Sequence, residues 1–517
     1  MSDRRIRSVL ILGGGSAGWM TAAALARKLD TRRCSIRLIE SSAIGIVGVG
    51  EATVPHIRYF NSTLGLDEAD FMRTTQATIK MGIRFENWAR IGDAYIHPFG
   101  AFGSRINDVD FHHYWTKLNR LGDPTPLGDY SLSVVAAEMG RFAPPATDRS
   151  VFSTYGYAYH FDTNLYGPYL RDWATARGVT RTDGKVVDVS LDGETGFVRS
   201  VTMEDGEVIE ADLFVDCSGF RGLIIEQQMK AGYHDWTNFL PCNRAVAVSS
   251  ESDGPPTPYT RARAHTAGWQ WRIPLQHRDG NGFVYSSEFM SDDEAASQFL
   301  ASLPGKLVSE PIFLRFTGGR RKKSWIRNCV SVGLAGGFIE PLESTSIYLT
   351  QQAITALLDM FPDRDFDPAG IEEFNRTMNL EYERVLDFVT LHYHATERDD
   401  SAMWNYVRNM PIRDSLAHKL ELFRERGHVA GYSDGLFWGP SWQAVYIGQR
   451  VIPKRWHPRA DDVDVEVLRG HMARMREVTL KAAEMMPTHK AFLDGSGVMP
   501  PADHGLSLHA DQGGRHG

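Results

Sequence analysis

Residues 8–40 constrain this 517-residue chain more than any other stretch. An apolar run from Ser8 to Leu12 closes on Gly13-Gly14-Gly15, and residues 16–29 then carry Ala, Met and Leu at helical spacing. A second short apolar run, 35–39, ends on Glu40. Strand, glycine-rich turn, helix and strand in that order make a βαβ unit. The spacing Gly13-x-Gly15-x-x-Gly18 gives each glycine a task. Gly13 turns the chain, Gly15 lets backbone amides approach a pyrophosphate, and Gly18 lets the helix lie close to the strand. Ser16 and Ala17 open the helix, whose N-terminus offers free N–H groups and the positive end of its dipole. Glu40, about 20 residues on, accepts from ribose hydroxyls and repels a 2′-phosphate. A bound dinucleotide follows, with NAD and FAD not yet separated.

The remaining chain predicts an α/β core followed by a helical region. Residues 41–55 form a loop of small residues. Residues 66–80 are expected to be helical, with Phe71, Thr75 and Ile79 in register, before Gly82-Ile83-Arg84-Phe85 returns to strand. Residues 151–330 are rich in strand signals, including 186–189, a hairpin over 196–209 with an Asp205-Gly206 turn, and 213–215. From Ile347 the pattern becomes helical, clearest over 351–360 and 372–394. The expected division is a core over 1–360 with insertions at about 80–150 and 235–305, a mainly helical cap over 361–490, and a flexible tail over 491–517.

Composition narrows the function classes. Hydrophobic residues at 42% and charged residues at 23% suit a globular chain with a sizeable core. A net charge of −8 offers nothing to phosphate backbones or anionic lipid, so no nucleic-acid or membrane partner is expected. The run Arg320-Arg321-Lys322-Lys323 reads as a solvated face or an anion contact. Four scattered cysteines (Cys34, Cys217, Cys242, Cys329) contain no CxxC pair, which argues against zinc or a disulfide framework; no metal is expected. With no leader-like or membrane-length apolar stretch, a cytoplasmic location is expected.

Two further segments bear on the dinucleotide. Asp216-Cys217-Ser218-Gly219-Phe220 follows an apolar strand and resembles the second dinucleotide-contacting segment of FAD monooxygenases. Gly333-Leu334-Ala335-Gly336-Gly337 resembles their third. In this order they favour FAD, in a Rossmann-like core with mixed β-sheets of the flavin monooxygenase type. Gly268-Trp269-Gln270-Trp271-Arg272-Ile273-Pro274 adds a sharper label. As a strand it turns Trp269, Trp271 and Ile273 to one face and Gln270 and Arg272 to the other, which periodicity alone would make a core strand. It also matches GWxWxIP, the pattern that tells flavin-dependent halogenases from related monooxygenases.

With Gly13 to Met20, the stretch Gly48-Val49-Gly50-Glu51-Ala52-Thr53-Val54-Pro55, Ile79 to Phe85, and Gly337 to Thr345, the chain over about residues 5–450 resembles the flavin-dependent tryptophan halogenases. The resemblance implies that free FADH2, supplied by a separate NADH-dependent flavin reductase, reacts with O2 and a halide. Hypohalous acid then reaches a bound small aromatic through the protein interior. It assigns Lys80 to aim the oxidant, as an ammonium donating to its oxygen or an amine forming a haloamine. A lysine is otherwise ordinarily a surface residue. Glu343 is assigned to polarise the oxidant and take up the ring proton; it also suits a plain acid at a helix start. The amides of Thr345 and Ser346 are assigned to the halide. Tryptophan halogenases carry Gly where this chain has Ser346, which points to bromide, with chloride the other choice. Further flavin contacts fall to Val47, Glu51, Val187, Leu334 and Ile347.

His97 and Phe99 match a segment that stacks on an indole ring. The Tyr-Tyr pair and C-terminal Glu that hold free tryptophan have no match. The corresponding region supplies Phe437, Trp438 and Trp442, which suit indole or another uncharged aromatic, or serve as helix packing. The expected function is therefore an FADH2-dependent halogenase of an indole-like or other electron-rich aromatic, with a homodimer as the candidate assembly. An FAD-dependent aromatic hydroxylase and a non-catalytic flavin-binding relative are the alternatives. A hydroxylase has no need of a lysine like Lys80.

Overall fold

A computed structural model describes residues 4–43, 48–431 and 435–495. Contacts divide the chain into two units, each assembled from three stretches of sequence: Met1–Ala77, Phe161–Ala247 and Pro311–Leu386 in the first, and Thr78–His160, Val248–Glu310 and the chain from Asp387 onward in the second.

The first unit is organised on a six-stranded sheet. Its strand order is Trp325–Ile326, Cys329–Ser331, Leu213–Asp216, Ser8–Leu12, Ser35–Glu40 and Val179–Asp183. All but the Trp325–Ile326 edge run parallel. A central parallel strand is covered on both faces and therefore reads as an unbroken apolar run; Val9, Leu10 and Ile11 are accordingly buried. Helix Ser16–Lys28 packs on helices Thr163–Thr175 and Ser346–Asp359. The expected hairpin is present as antiparallel strands Val198–Met203 and Val208–Glu210, joined to Val186–Leu191. Their Val189, Val198 and Val201 share a core with Leu10, Leu12 and Phe214.

The second unit contains strands Asp279–Tyr285, Gly268–Pro274, Thr260–Ala264, Gly82–Glu86 and Ala94–Pro98, neighbours in that order. The tryptophan-rich segment is a strand, as its alternation implies: Trp269, Trp271 and Ile273 are buried. Trp271 lies across from Gly282, where a Cβ would fall 2.0 Å from its ring, so the glycine makes room for the indole. Trp269 meets Trp88, and Trp88 meets Trp404, at ring separations of 6.4 and 5.6 Å. On the other face Arg272 pairs with Asp253 and Asp279, and Gln270 bonds His265.

Two sequence expectations are corrected. The helix expected over 66–80 spans only Glu68–Thr74. Gln76, in the left-handed region at φ 54°, breaks it, and β-branched Thr78 and Ile79 then extend as the strand Thr78–Lys80, paired antiparallel with residues 158–160. The 71/75/79 spacing is thus not a helical face beyond Thr75. Nor is the basic run a solvated face at its start. Arg320 and Arg321 are buried because Glu383 and Glu226 neutralise them.

The expected helices of the C-terminal region appear as Pro368–His394, Ala402–Asn409, Asp414–Arg426, Gly439–Gly448 and Val465–Met485. Residues 491–493 close the short helix His489–Leu493; of the expected tail, 496–517 lie outside the described residues. All four cysteines are buried, and none is in a disulfide. Among the described residues no helix is long and apolar enough to cross a membrane, and no cluster of His, Cys, Asp and Glu is arranged to hold a metal.

Candidate functional site

The residues singled out from sequence sort cleanly between the two units. Gly13, Gly15, Ser16, Ala17, Gly18, Glu40, Glu51, Val187, Leu334, Glu343, Thr345, Ser346 and Ile347 fall in the first; Lys80, His97, Phe99, Phe437, Trp438 and Trp442 fall in the second. Val47 lies outside the described residues.

In the first unit the glycine fingerprint does what its spacing requires. Gly13 has φ +119°, which a side chain would resist, and a Cβ on Gly18 would sit 1.8 Å from the Gly13 carbonyl. A Cβ on Gly15 would meet nothing within 4 Å, so the approach to the helix N-terminus is open, as a pyrophosphate needs. Glu40 ends its strand, accepts from Trp19 Nε1 at 3.2 Å and pairs with Arg181. A small cleft is lined by Gly333, Leu334, Phe338, Ser346, Leu349 and Tyr382. The open fingerprint leaves room for a nucleotide's phosphates at the helix start. Glu51 is half-buried at the start of the strand Glu51–Ala52. Val187, on the strand Val186–Leu191, is exposed, and Ile347 is buried in the first turn of its helix.

Glu343 ends a 3-10 turn, Pro341–Glu343, and is wholly buried. Ser344 then adopts φ 58°, ψ 39° and Thr345 φ −92°, ψ −8°, directly before helix Ser346–Asp359. A left-handed residue followed by a right-handed one turns successive N–H groups to a common side, the backbone nest that receives anions. First-turn amides have no partner within their own helix, and the dipole adds to their pull. Thr345 Oγ1, also buried, has no hydrogen-bond partner among the described residues. This loop is equipped to take an anion.

In the second unit Lys80 is wholly buried on its three-residue strand, with Nζ 5.2 Å from the centre of the Phe99 ring. His97 packs edge-on against Phe99 and Phe388, at 6.4 and 5.5 Å. Phe388 stacks on Phe437 at 3.8 Å and meets Trp442 at 5.0 Å, while Trp442 Nε1 donates to the Phe437 carbonyl. His97, Phe99, Phe437 and Trp442 are thus gathered into one aromatic wall. Trp438 is not; it is 69% exposed, and its Nε1 donates to Gly435 O.

Sequence reasoning missed several supports. Phe388 completes the wall from the middle of a helical pattern that marked it only as core. Behind Trp442, Lys419 Nζ stands 4.9 Å over the indole and 2.8 Å from Asp387, which also takes Arg413 and Ser415. Asp387, Arg413 and Lys419 carried no local signal, because their pairing is tertiary. Arg321 donates to Ala335 O and Phe220 O, tying together the two glycine-rich segments that follow strands in the first unit. Burial depresses His160 far below the usual imidazole range, with Lys80 and His489 adding to the effect.

The tryptophan halogenase family model matches residues 8–465. The tryptophan 6-halogenase ThaL of Streptomyces albogriseolus is 37% identical over 444 residues, 82% of each chain. The tryptophan 7-halogenase RebH of Lentzea aerocolonigenes is 34% identical, over 81% of this chain and 82% of that one. Among solved structures, BrvH, a flavin-dependent halogenase from Brevundimonas sp. BAL3, superposes with a TM-score of 0.92 at 44% identity, covering 96% of this chain and all 100% of its own.

Proposed function

This chain belongs to the tryptophan halogenase family, and on that premise we propose that Lys80 and Glu343 carry the halogenating step, Thr345 and Ser346 hold the halide, and an uncharged indole-like ring is the acceptor. It is a flavin-dependent halogenase, which decides against the aromatic hydroxylase. Such enzymes use FADH2, O2 and halide, work with a separate flavin reductase, and act on an aromatic substrate. Bound flavin, with O2, supplies the two-electron oxidation of halide to hypohalous acid.

The protein's own groups do the rest. The Gly13–Gly18 turn and Glu40 hold the nucleotide, with Glu51, Val187, Leu334 and Ile347 as further contacts. The Thr345 and Ser346 amides fix the halide, for which bromide is the proposed ion. Lys80 donates to the oxidant's oxygen or accepts its halogen, and Glu343 takes the proton that leaves the ring. The balance is ArH + HOX giving ArX + H2O. One observation carries the reading of Lys80: a wholly buried lysine lies over an aromatic ring instead of in solvent. An uncharged acceptor is supported by the charges behind the aromatic wall, since Asp387, Arg413 and Lys419 are already paired with one another. A cytoplasmic homodimer served by an NADH-dependent reductase completes the proposal; light scattering tests the dimer.

The test supplies reductase, NADH, FAD, O2, bromide or chloride and indole, and reads product mass. Halogenated indole is expected. Product from free tryptophan but not from indole would overturn the acceptor, and no product from a broad aromatic panel with FAD bound would mark a non-catalytic flavin binder.

A further inference from the structure

The strand that carries Lys80 is three residues long and pairs through residues 158–160. A strand alternates the direction of its N–H groups, so it cannot satisfy all of them on one neighbour. Ile79 is wholly buried, and its amide proton must be accepted by protein. The acceptor is His489, 410 positions away in the chain, whose Nε2 stands 3.1 Å from the Ile79 nitrogen. A ring nitrogen that accepts carries no proton, so the proton sits on Nδ1, which donates to the Pro256 carbonyl at 2.8 Å. One tautomer satisfies both bonds.

We propose that His489 is a positioning residue for halogenation, holding the backbone of the Lys80 strand by accepting the Ile79 amide proton. The proposal rests on the catalytic reading of Lys80. Burial pushes the His489 imidazole down to about 4, so the accepting lone pair is present at neutral pH. The residue is itself clamped. Its N–H donates to Gly140 O, its helix is capped by the Thr488 side chain, and Phe492 packs edge-on against Phe142 at 4.8 Å.

The opposite edge is held in a matching way. Thr78 Oγ1 gives its proton to Pro274 O, so it must accept from His160 Nδ1 at 3.0 Å. His160 Nε2 then accepts from the Thr260 hydroxyl at 2.9 Å. Two neutral imidazoles, His160 and His489, therefore bracket the strand without placing a second positive charge beside the Lys80 amine. A misplacement of about 1 Å at a reacting group costs roughly 10²-fold in rate. That makes the register of so short a strand a kinetic quantity.

Three variants of the full chain test this: His489→Met, which fills the volume without a strong acceptor, His489→Gln, whose amide oxygen reaches toward the Nε2 position, and Lys80→Met as control. Halogenation kcat and KM, FADH2 oxidation, and hydrogen exchange of the peptide spanning Ile79 are read for each. In His489→Met the kcat should fall about tenfold to a hundredfold, with KM and FADH2 oxidation unchanged and Ile79 exchange faster. His489→Gln should recover both exchange protection and kcat. A parental kcat in His489→Met overturns the proposal, as does a His489→Gln that regains protection without regaining kcat. If Lys80→Met loses product while His489→Met does not, only the positioning role falls. If Lys80→Met keeps producing halogenated indole, the reading of Lys80 falls, and this proposal with it.

Discussion

The proposed nucleotide cradle of the first unit and the aromatic wall beside Lys80 in the second are built by opposite means. The cradle works through backbone: three glycines, the N–H groups of two helix starts, and a left-handed residue before Thr345. Its parts fall in two short stretches, 13–18 and 344–346, so each stretch is a motif. The wall is made of side chains gathered across hundreds of residues: Lys80 over Phe99, Phe388 on Phe437, Lys419 over Trp442. A backbone site tolerates many side chains but no stray Cβ. A side-chain site tolerates changes in chain path but not the loss of one functional group.

Four experiments would break or sharpen that contrast. The largest effect is expected at the side-chain site: Lys80→Ala should lower halogenation by about 10³-fold or more while FADH2 oxidation, followed by absorbance, continues. Next comes the backbone site. Gly15→Val, at a position whose Cβ meets nothing, should leave folding intact yet weaken FAD binding by about a hundredfold, measured by fluorescence titration. Gly18→Ala should instead destabilise the fold, since its Cβ would strike Gly13 O. Equal behaviour of the two variants would break the picture of a purpose-built opening.

Acid supplies the third test. His113, crowded by burial and by His112, His457 and His428, is pushed down to about 3, and burial pushes His489 down to about 4. Both bind a proton more readily when unfolded. Their stabilisation is thus complete above the ordinary imidazole value and is lost as pH falls toward the folded values. At pH 5.5 the two together should cost about 3 kcal/mol, seen as a lowered Tm. Since both residues belong to the second unit, hydrogen exchange should loosen there first. The smallest effect is expected at Gly282→Ala, whose methyl overlaps the Trp271 ring and should cost about 1–2 kcal/mol in denaturant melts.

How much was legible follows the same division. The βαβ opening, the strand character of Gly268–Pro274 and the helical region after Ile347 were readable because each is a local periodicity or turn. The helix expected over 66–80 was misread because residues 71, 75 and 79 happen to fit a helical spacing, while the deciding event is one residue, Gln76, turning left-handed. The burial of Arg320 and Arg321 was invisible because their partners, Glu383 and Glu226, lie far away in sequence. Lys80 was named through family resemblance, not from its neighbours. Nothing local marked His489, which gains its meaning only as the acceptor of the Ile79 amide proton.

A protein that generates hypohalous acid in its interior exposes its own sulfur to a strong two-electron oxidant, and thiolate is the form most readily attacked. Cys34, Cys217, Cys242 and Cys329 are all buried. Burial, with the charge of Asp212 adding to it, pushes the Cys34 thiol up to about 11, and burial raises Cys217 and Cys329 further. These three sulfurs are held protonated near neutral pH and the fourth is out of reach of solvent, so the thiols are shielded from that oxidant.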